Sequence, residues 1–335
     1  MKIFISTGIY PPDIGGPSQY AKGLENSFED LGNKVSVGYF DIEKKLPTGI
    51  RHIFYFFKIL PKILSSDLVI ILDNFSAALP TLLASKLFGK KTILRTGGDF
   101  LWEGYVERTG EQVLFRDFYK TCMNKLSLKE KFIFRIMNWI LSNVDALIFS
   151  TRWQLNIFLA AYDLDPRKLF IIENFYGEKD KKTTEVNNKI FVASTRKLKW
   201  KNQDVLREAF QIVKSQKPEI ELDVENVPYG DFIEKIRASY AVILASLGDI
   251  SPNMILDAIR LNKPFILTRE NGLTDRIADI GLFVDPQNVR DISDKILSLS
   301  DPKVYAEYKA RIENFQFTHS WIEIAQEFLD ISKKI

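Results

Sequence analysis

A single cysteine, Cys122, stands among 335 residues. No disulfide can form within one chain, and the composition fits a reducing compartment. Histidine is almost as scarce: His52 and His319 are the only two, too few to build a structural zinc site with one thiol. Charge of one sign is not in large excess either. A formal net charge of +3 is too small for a nucleic-acid binder. The surplus of Lys and Arg falls within residues 1–150, which favours an anionic surface, such as a membrane face, against that half. No apolar run is long enough to span a bilayer. The best stretch, residues 68–88, is interrupted by Asp73, Asn74, Pro80 and Lys86. No secretory leader is expected, because the first apolar run has strand length and Pro11-Pro12 follow it. Together these shortages predict a cytoplasmic protein without a resident metal.

Several chemistry-bearing motifs are also missing. No G-x-G-x-x-G follows an opening strand, which argues against a dinucleotide dehydrogenase. There is no phosphate-binding G-x-x-x-x-G-K-[ST] and no G-x-S-x-G nucleophile elbow. Asp163-Leu164-Asp165 is the only D-x-D pair of the metal-binding type. It follows a predicted helix and precedes Pro166, a poor setting for a metal.

What is present is a repeated alternation of short apolar runs and helical periods. With 335 residues, 46% hydrophobic and 27% charged, the chain has enough apolar material for two domains. Residues 2–7 (KIFIST) read as a buried strand, and Tyr20, Leu24, Phe28 and Leu31 recur at helical spacing. Further strands are expected at 35–40, 67–72, 92–95, 146–150 and 169–174, with helices at 77–88 and across 115–143. Residues 177–189 (GEKDKKTTEVNNK) are polar and read as a linker. The alternation then restarts, with strands at 190–195, 221–226, 241–246, 264–268 and 281–285. Helices are expected at 203–214, 232–240 and 252–261, and a final amphipathic helix at 321–331. This order implies an α/β fold of two Rossmann-like halves with parallel sheets and right-handed crossovers. The predicted domains are 1–176 and 190–316, and a ligand would lie at the carboxyl ends of the strands, in a cleft between the halves.

Three segments carry candidate binding chemistry. Gly15 and Gly16 sit where a strand turns into a helix, a place for close backbone approach and for anions; a simple turn fits the same residues. Arg196 and Lys201 follow the opening strand of the second half, where two cations can neutralise a diphosphate; a solvated Lys-rich loop (RKLKWK) is the plainer reading. Asp249 and Asp257 flank SPNMIL, with Ser251 and Pro252 suited to a helix start. One carboxylate can bind a ribose diol and the other can face a sugar. A helix N-terminus also favours acidic residues, which explains Asp249 better than Asp257.

Taken together, these segments resemble the retaining glycosyltransferases of family 4, which have the GT-B fold. YPPDIGGPSQYAKGL is similar to that family's opening loop and helix. STRWQLNIF with YDLDPRKLFIIEN resembles the end of its first domain, at Asn174. RKLKWK matches an Arg and a Lys five residues apart. DISPNMILDA matches the region usually written E-x7-E, and FTHSWIEIAQEFL resembles the closing segment. The resemblance implies that Arg196 and Lys201 hold the donor diphosphate, that Asp257 binds the ribose and that Asp249 approaches the donor sugar. Asn271, Gly272, Leu273 and Thr274 stand where the family has a "GGxP" loop near sugar and phosphates. It also implies that a helix at about 317–335 crosses back onto the first domain.

The departures are specific. Both glutamates of E-x7-E are aspartates here, which shortens each reach by about 1.5 Å, enough to matter at a hydrogen bond. Asp275 stands where a third glutamate is usual, and Asn202 replaces a common glycine after Lys201. The first half has RTGGDFLWE where many members carry a histidine; it resembles a "GDxxWE" variant. Asp99 is the candidate for a polar catalytic role there, or else a helix cap, and Gly97-Gly98 would leave room for substrate. The span between Glu221 and Tyr240 is short for a full βα unit.

The expected function is a hexosyl or related glycosyl transfer from a nucleotide-diphosphate sugar. It would proceed with retention and without a metal or other cofactor, to a glycan or lipid-linked acceptor in cell-surface polysaccharide or glycolipid synthesis. Rival readings are a weakly active or inactive relative that binds nucleotide or glycan, and a sugar-nucleotide epimerase of the same fold. RHIFYFFKILPKIL (51–64) and KEKFIFRIMNWIL (129–141) mix basic and aromatic residues and suit peripheral contact with the inner face of a membrane. They equally suit helices that pack on a sheet with Lys and Arg snorkelling. Pro61 should limit the first as a single helix.

Overall fold

The computed structural model describes residues 1–13, 15–47, 49–181, 188–193 and 197–335. The chain divides into two compact units. The first comprises Met1–Leu101, Asn124–Asn174 and His319–Ile335; the second comprises Trp102–Met123 and Phe175–Thr318. In chain order the elements up to Asn174 are β1 (Lys2–Thr7), α1 (Gly16–Asp30), β2 (Lys34–Tyr39), α2 (Ile50–Ser65), β3 (Leu68–Ile71), α3 (Ala78–Leu87), β4 (Lys91–Arg95), α4 (Phe100–Thr109), α5 (Phe115–Thr121), α6 (Leu128–Asn143), β5 (Ala146–Phe149), α7 (Arg152–Ala161) and β6 (Leu169–Ile171). They are followed by β7 (Lys189–Ala193), α8 (Gln203–Gln216), β8 (Ile220–Asp223), α9 (Tyr229–Ala238), β9 (Ala241–Leu244), α10 (Asn253–Arg260), β10 (Phe265–Thr268), α11 (Thr274–Ile277), β11 (Leu282–Val284), α12 (Val289–Leu299), α13 (Pro302–Asn314) and α14 (Trp321–Ser332).

The first unit holds a six-stranded sheet in the order β2-β1-β3-β4-β5-β6, parallel throughout. Central strands β3 and β5 are buried on both faces, the signature of a sheet covered by helices on each side. Helix α14 belongs to this unit although it ends the chain. Its capping box, Ser320 with Glu323, sets its start, and it lies on α1. A Cβ at Gly23 would come within 2.6 Å of the Trp321 indole, so only glycine lets the two helices approach this closely. Tyr20 meets the same indole edge-on at 5.2 Å, and Phe28 meets Phe328 at 6.3 Å.

The second unit holds five parallel strands in the order β11-β10-β9-β7-β8. Two apolar clusters cover the two faces of this sheet, one around Phe191, Phe210 and Ile296, the other around Val242, Ile255 and Phe265. The fit is tight at Gly281, where a Cβ would stand 2.1 Å from the buried ring of Phe265. Gly281→Ala is therefore expected to destabilise the protein by at least about 1–3 kcal/mol through overpacking, measurable as a lowered urea midpoint for this unit. An unchanged midpoint would contradict the packing described.

The span 115–143 is largely helical, as expected, and divides into α5 and α6, because Ser127 caps a new start and accepts the Glu130 amide. Several sequence expectations need correction. Helix α2 runs through Pro61 to Ser65 rather than ending there. Residues 177–181, read as the start of a linker, are bonded into the second unit. Lys179 Nζ donates to the carbonyls of Ile259 and Ile312, each at 2.7 Å, and Asp180 pairs with Arg237 at 2.6 Å. Residues 182–187 of that segment lie outside the described residues. Residues 102–123, read as part of the first half, group with the second unit. Among the described residues no helix is long and apolar enough to cross a membrane.

Candidate functional site

The five-stranded sheet changes its winding direction at β7, which has β8 on one side and β9 on the other. In open parallel sheets ligands bind at the carboxyl ends of the strands beside such a switch point. The loops after β7 and β9 carry Lys201 and Asp249, and the structure brings these two together. Lys201 Nζ lies 2.5 Å from Asp249 Oδ2, with the two side chains only 12% and 13% exposed. The ammonium also sits 4.2 Å from the centroid of the Trp200 ring. Arg196, the other expected cation, lies outside the described residues.

Backbone conformation explains how the loop after β7 holds Lys201 in place. A short 3-10 turn, Lys199–Lys201, is followed by Asn202 in the left-handed region at φ 58°. Glycine and asparagine are the residues that tolerate that conformation, so Asn202 suits this position. It adds a tether that glycine cannot supply: Nδ2 donates to the carbonyls of Ala245 at 3.0 Å and Pro286 at 2.7 Å. The amide of Leu247 donates to the Trp200 carbonyl, tying this loop to the one bearing Asp249.

Asp249 is joined in turn to the loop after β10. It forms a bridge with Asn271, its amide donates to the Glu270 carbonyl at 2.8 Å, and the Gly272 amide donates to the Ile250 carbonyl at 3.1 Å. Asn271 organises its own segment. Its Oδ1 accepts the Leu273 amide at 2.8 Å and the Thr274 hydroxyl at 3.2 Å, and its Nδ2 donates to the Thr268 carbonyl. Leu273 precedes α11 and Thr274 opens it. Asp257 lies within α10, nearly buried. It accepts the Tyr229 hydroxyl at 3.1 Å to each oxygen and meets Arg260 at 3.3 Å. Burial pushes its carboxyl above the usual range, against the opposing pull of Arg260.

Sequence reasoning missed Glu270 and Arg116. Glu270 is 1% exposed. One of its oxygens meets Arg116 Nη2 at 2.9 Å, while the other is buried without a hydrogen-bond partner. Arg116 reaches it from α5, within the segment of residues 102–123 that straps across these loops. The Phe115 amide donates to the Leu247 carbonyl at 3.2 Å, and a Cβ at Gly248 would stand 2.6 Å from that of Phe115. Trp102 stacks obliquely with Phe115 and Trp200 at 5.0 and 5.7 Å, and Glu107 accepts the Lys199 amide. The strap thus contacts both loops that carry the Lys201–Asp249 pair.

Burial pushes the Glu270 carboxyl up to about 7, opposed by Arg116. A carboxyl raised from its ordinary value of 4.5 binds its proton more tightly folded than unfolded. Its contribution to stability is present in full below pH 4.5 and is lost as pH rises towards 7. Glu270→Gln keeps the shape and removes the charge. Its stability relative to the parent should therefore increase between about pH 4.5 and 7, read by thermal melts across that range. A difference that does not vary with pH would refute this assignment.

The remaining candidates belong to the first unit. Gly15 caps α1 at φ 149°, Gly16 is its first residue and Pro17 lies in its first turn. That sheet switches direction between β1 and β3. Asp73 after β3 accepts the amides of Phe75 and Ala77 at 2.8 and 2.9 Å, and a Cβ at Gly8 would stand 3.1 Å from it. Asn74 donates to the Gly98 carbonyl at 2.9 Å, holding the glycine pair of the GGD loop. Asp99, 1% exposed, stands directly before α4. Asp165 of the D-x-D pair caps a short turn and binds Arg167, which holds its carboxyl down to about 2.

No family model and no curated protein matches this sequence. Solved structures do match its fold. Sucrose-phosphate synthase from Thermosynechococcus elongatus aligns with a TM-score of 0.72 at 12% identity, covering 99% of this chain and 98% of that one. The catalytic domain of starch synthase IV from Arabidopsis thaliana, bound to ADP and acarbose, aligns with a TM-score of 0.66 at 11% identity over 99% and 98% of the two chains. A candidate UDP-N-acetylglucosamine 2-epimerase from Listeria monocytogenes aligns with a TM-score of 0.61 at 13% identity over 99% and 96%. The fold is GT-B, with two parallel α/β units. At these identities the likeness is one of fold, and the fold hosts more than one reaction.

Proposed function

We propose that this protein transfers a sugar from a nucleotide-diphosphate sugar to a glycan or lipid-linked acceptor, with retention and without a metal. The observation that carries the reading is the Lys201–Asp249 pair at the switch point of the second unit. Lys201 supplies a desolvated cation. When a diphosphate arrives, it exchanges the Asp249 carboxylate for a phosphate oxygen. As the glycosidic bond to phosphate breaks, the leaving diphosphate gains charge, so a cation fixed there stabilises the transition state more than the ground state. Arg196 is the second cation of this reading.

Asp249, released from Lys201, faces the donor sugar and accepts from its hydroxyls. Asp257 accepts the ribose diol, with Tyr229 and Arg260 holding its carboxylate. The loop of Asn271, Gly272, Leu273 and Thr274 lines the sugar and phosphates. In the front-face route the departing phosphate takes the proton of the acceptor hydroxyl, so no separate strong base is required. In the first unit Gly15 and Gly16 offer close backbone approach and a helix N-terminus to the anionic group of the donor, and Asp99 is the polar catalytic candidate. A screen of UDP, GDP, ADP and their sugars by thermal shift tests the donor assignment. One nucleotide family should raise the melting temperature, because ligand at about 100 times its Kd adds roughly 2.7 kcal/mol. No response from any of them overturns the reading. Epimerised sugar nucleotide in an acceptor-free incubation would instead establish the epimerase alternative.

The acceptor side of the reading places the first unit against the cytoplasmic face of a membrane. On α2, Ile53, Phe54 and Phe57 are 62%, 51% and 64% exposed, and on α6 Phe132 is 63% exposed. Helix α3, which packs on both, adds exposed Leu83 and Leu87. Apolar side chains beside Lys and Arg suit anionic lipid. The protein should co-sediment with vesicles containing anionic lipid, and Phe54→Glu with Phe57→Glu should reduce the bound fraction several-fold. Equal sedimentation of parent and variant would remove this face from the account.

A further inference from the structure

Arg95 ends β4 and is buried, yet its partners are all neutral. Nη2 donates to the Ser150 hydroxyl at 2.8 Å and to Asn174 Oδ1 at 2.6 Å, and the guanidinium lies 3.7 Å over the ring of Tyr20. Nε is buried without a hydrogen-bond partner. No carboxylate of the described residues pairs with it. Buried charges in proteins are ordinarily paired, because desolvating a lone ion is costly. A cation clamped by two hydrogen bonds and a ring face, but left without an anion, is poised for one from outside. Nη1 faces Gly97, where a Cβ would stand 3.6 Å from it. Any side chain at that position would cover the nitrogen.

We propose that Arg95 is the floor of an oxyanion site at the carboxyl edge of the six-stranded sheet, reached past Gly97, which takes a phosphate or carboxylate group. Nη2 is committed to Ser150 and Asn174 and Nε is buried, so Nη1 is the donor that Arg95 has left to give such a group, as a charge-assisted hydrogen bond. Naming that oxyanion as part of the acceptor rests on the glycosyl-transfer reading; the anion site itself does not. The acceptor is then an acidic one, either a phosphate ester such as a polyprenyl phosphate or a sugar chain ending in a uronate.

Thermal-shift titrations of the full-length protein test this with three probes: inorganic phosphate, a polyprenyl phosphate in detergent, and glucuronate. Saturable stabilisation is expected from inorganic phosphate in the parent and in Lys201→Ala, where the donor site is crippled. Arg95→Gln should weaken half-saturation at least fivefold. Gly97→Leu should do the same while leaving Arg95 in place, which guards against a fold defect in the first variant. The stronger of the other two probes identifies the source of the oxyanion. Absence of a saturable response to all three probes, or a response that survives both Arg95→Gln and Gly97→Leu, overturns the proposal. Failure of nucleotides to bind while phosphate still binds through Arg95 would overturn the glycosyl-transfer reading and leave this site standing.

Discussion

Lys201→Ala is expected to lower the rate of sugar transfer by about 10²- to 10³-fold, the typical loss when one preorganised donor to a developing negative charge is removed. The expectation follows from position and environment. Lys201 Nζ is held at the switch point by the Asn202 tethers, shielded by Trp200 and paired with Asp249. A cation in such a desolvated place acts on a leaving diphosphate far more strongly than one in water. The loss should fall on kcat as well as on the donor KM, because charge on the diphosphate grows in the transition state. Removing the ammonium also leaves the Asp249 carboxylate without its partner, so the variant should be read together with Lys201→Met and with circular dichroism. Unchanged kcat in both variants would remove Lys201 from the chemistry.

The second large effect is expected at Asp257. Asp257→Asn keeps the volume and can still accept the Tyr229 hydroxyl, but it loses the negative charge and one accepting oxygen. A carboxylate can take both hydroxyls of a ribose diol, and a hydrogen bond to a charged group contributes about 1.5–3 kcal/mol. Donor affinity should therefore fall about 10- to 100-fold. Stability should hold or rise, since the buried carboxylate, raised by its surroundings, is itself an uncomfortable charge in the folded state. A purely structural role gives the opposite pair of results: lower stability and unchanged donor affinity.

Much of this site was legible before the structure. Lys201 and Asp249 each follow a short apolar run at the distance expected of a βα loop, and β-α alternation alone places such loops on one edge of a parallel sheet. Asn202 stands where the resembled family has a glycine; the structure puts it in the left-handed region, which both residues tolerate. Glu270 and Arg116 were not legible, because they come from distant parts of the chain and only tertiary packing joins them. The strap at residues 102–123 escaped for a related reason. Trp102 lies on α4 and Phe115 on α5, and helical periodicity does not name the unit that a helix packs on. The close approach of Phe115 to Gly248 settles it in three dimensions only. Helices α12 and α13 did carry local signals, Asn288 and Asp301 as caps with Pro302 at the second start. Reading past residue 285 with the capping rules finds both.

Where the nucleotide binds decides whether Lys201 and Asp249 form the donor site. Hydrogen exchange of the full chain, with and without the nucleoside diphosphate that stabilises it most, locates that place directly. Slowed exchange is expected in peptides covering residues 197–203, 247–257 and 268–274, the loops around Lys201, Asp249 and Asn271. Protection confined to peptides of the first unit, with these three segments unchanged, would contradict it.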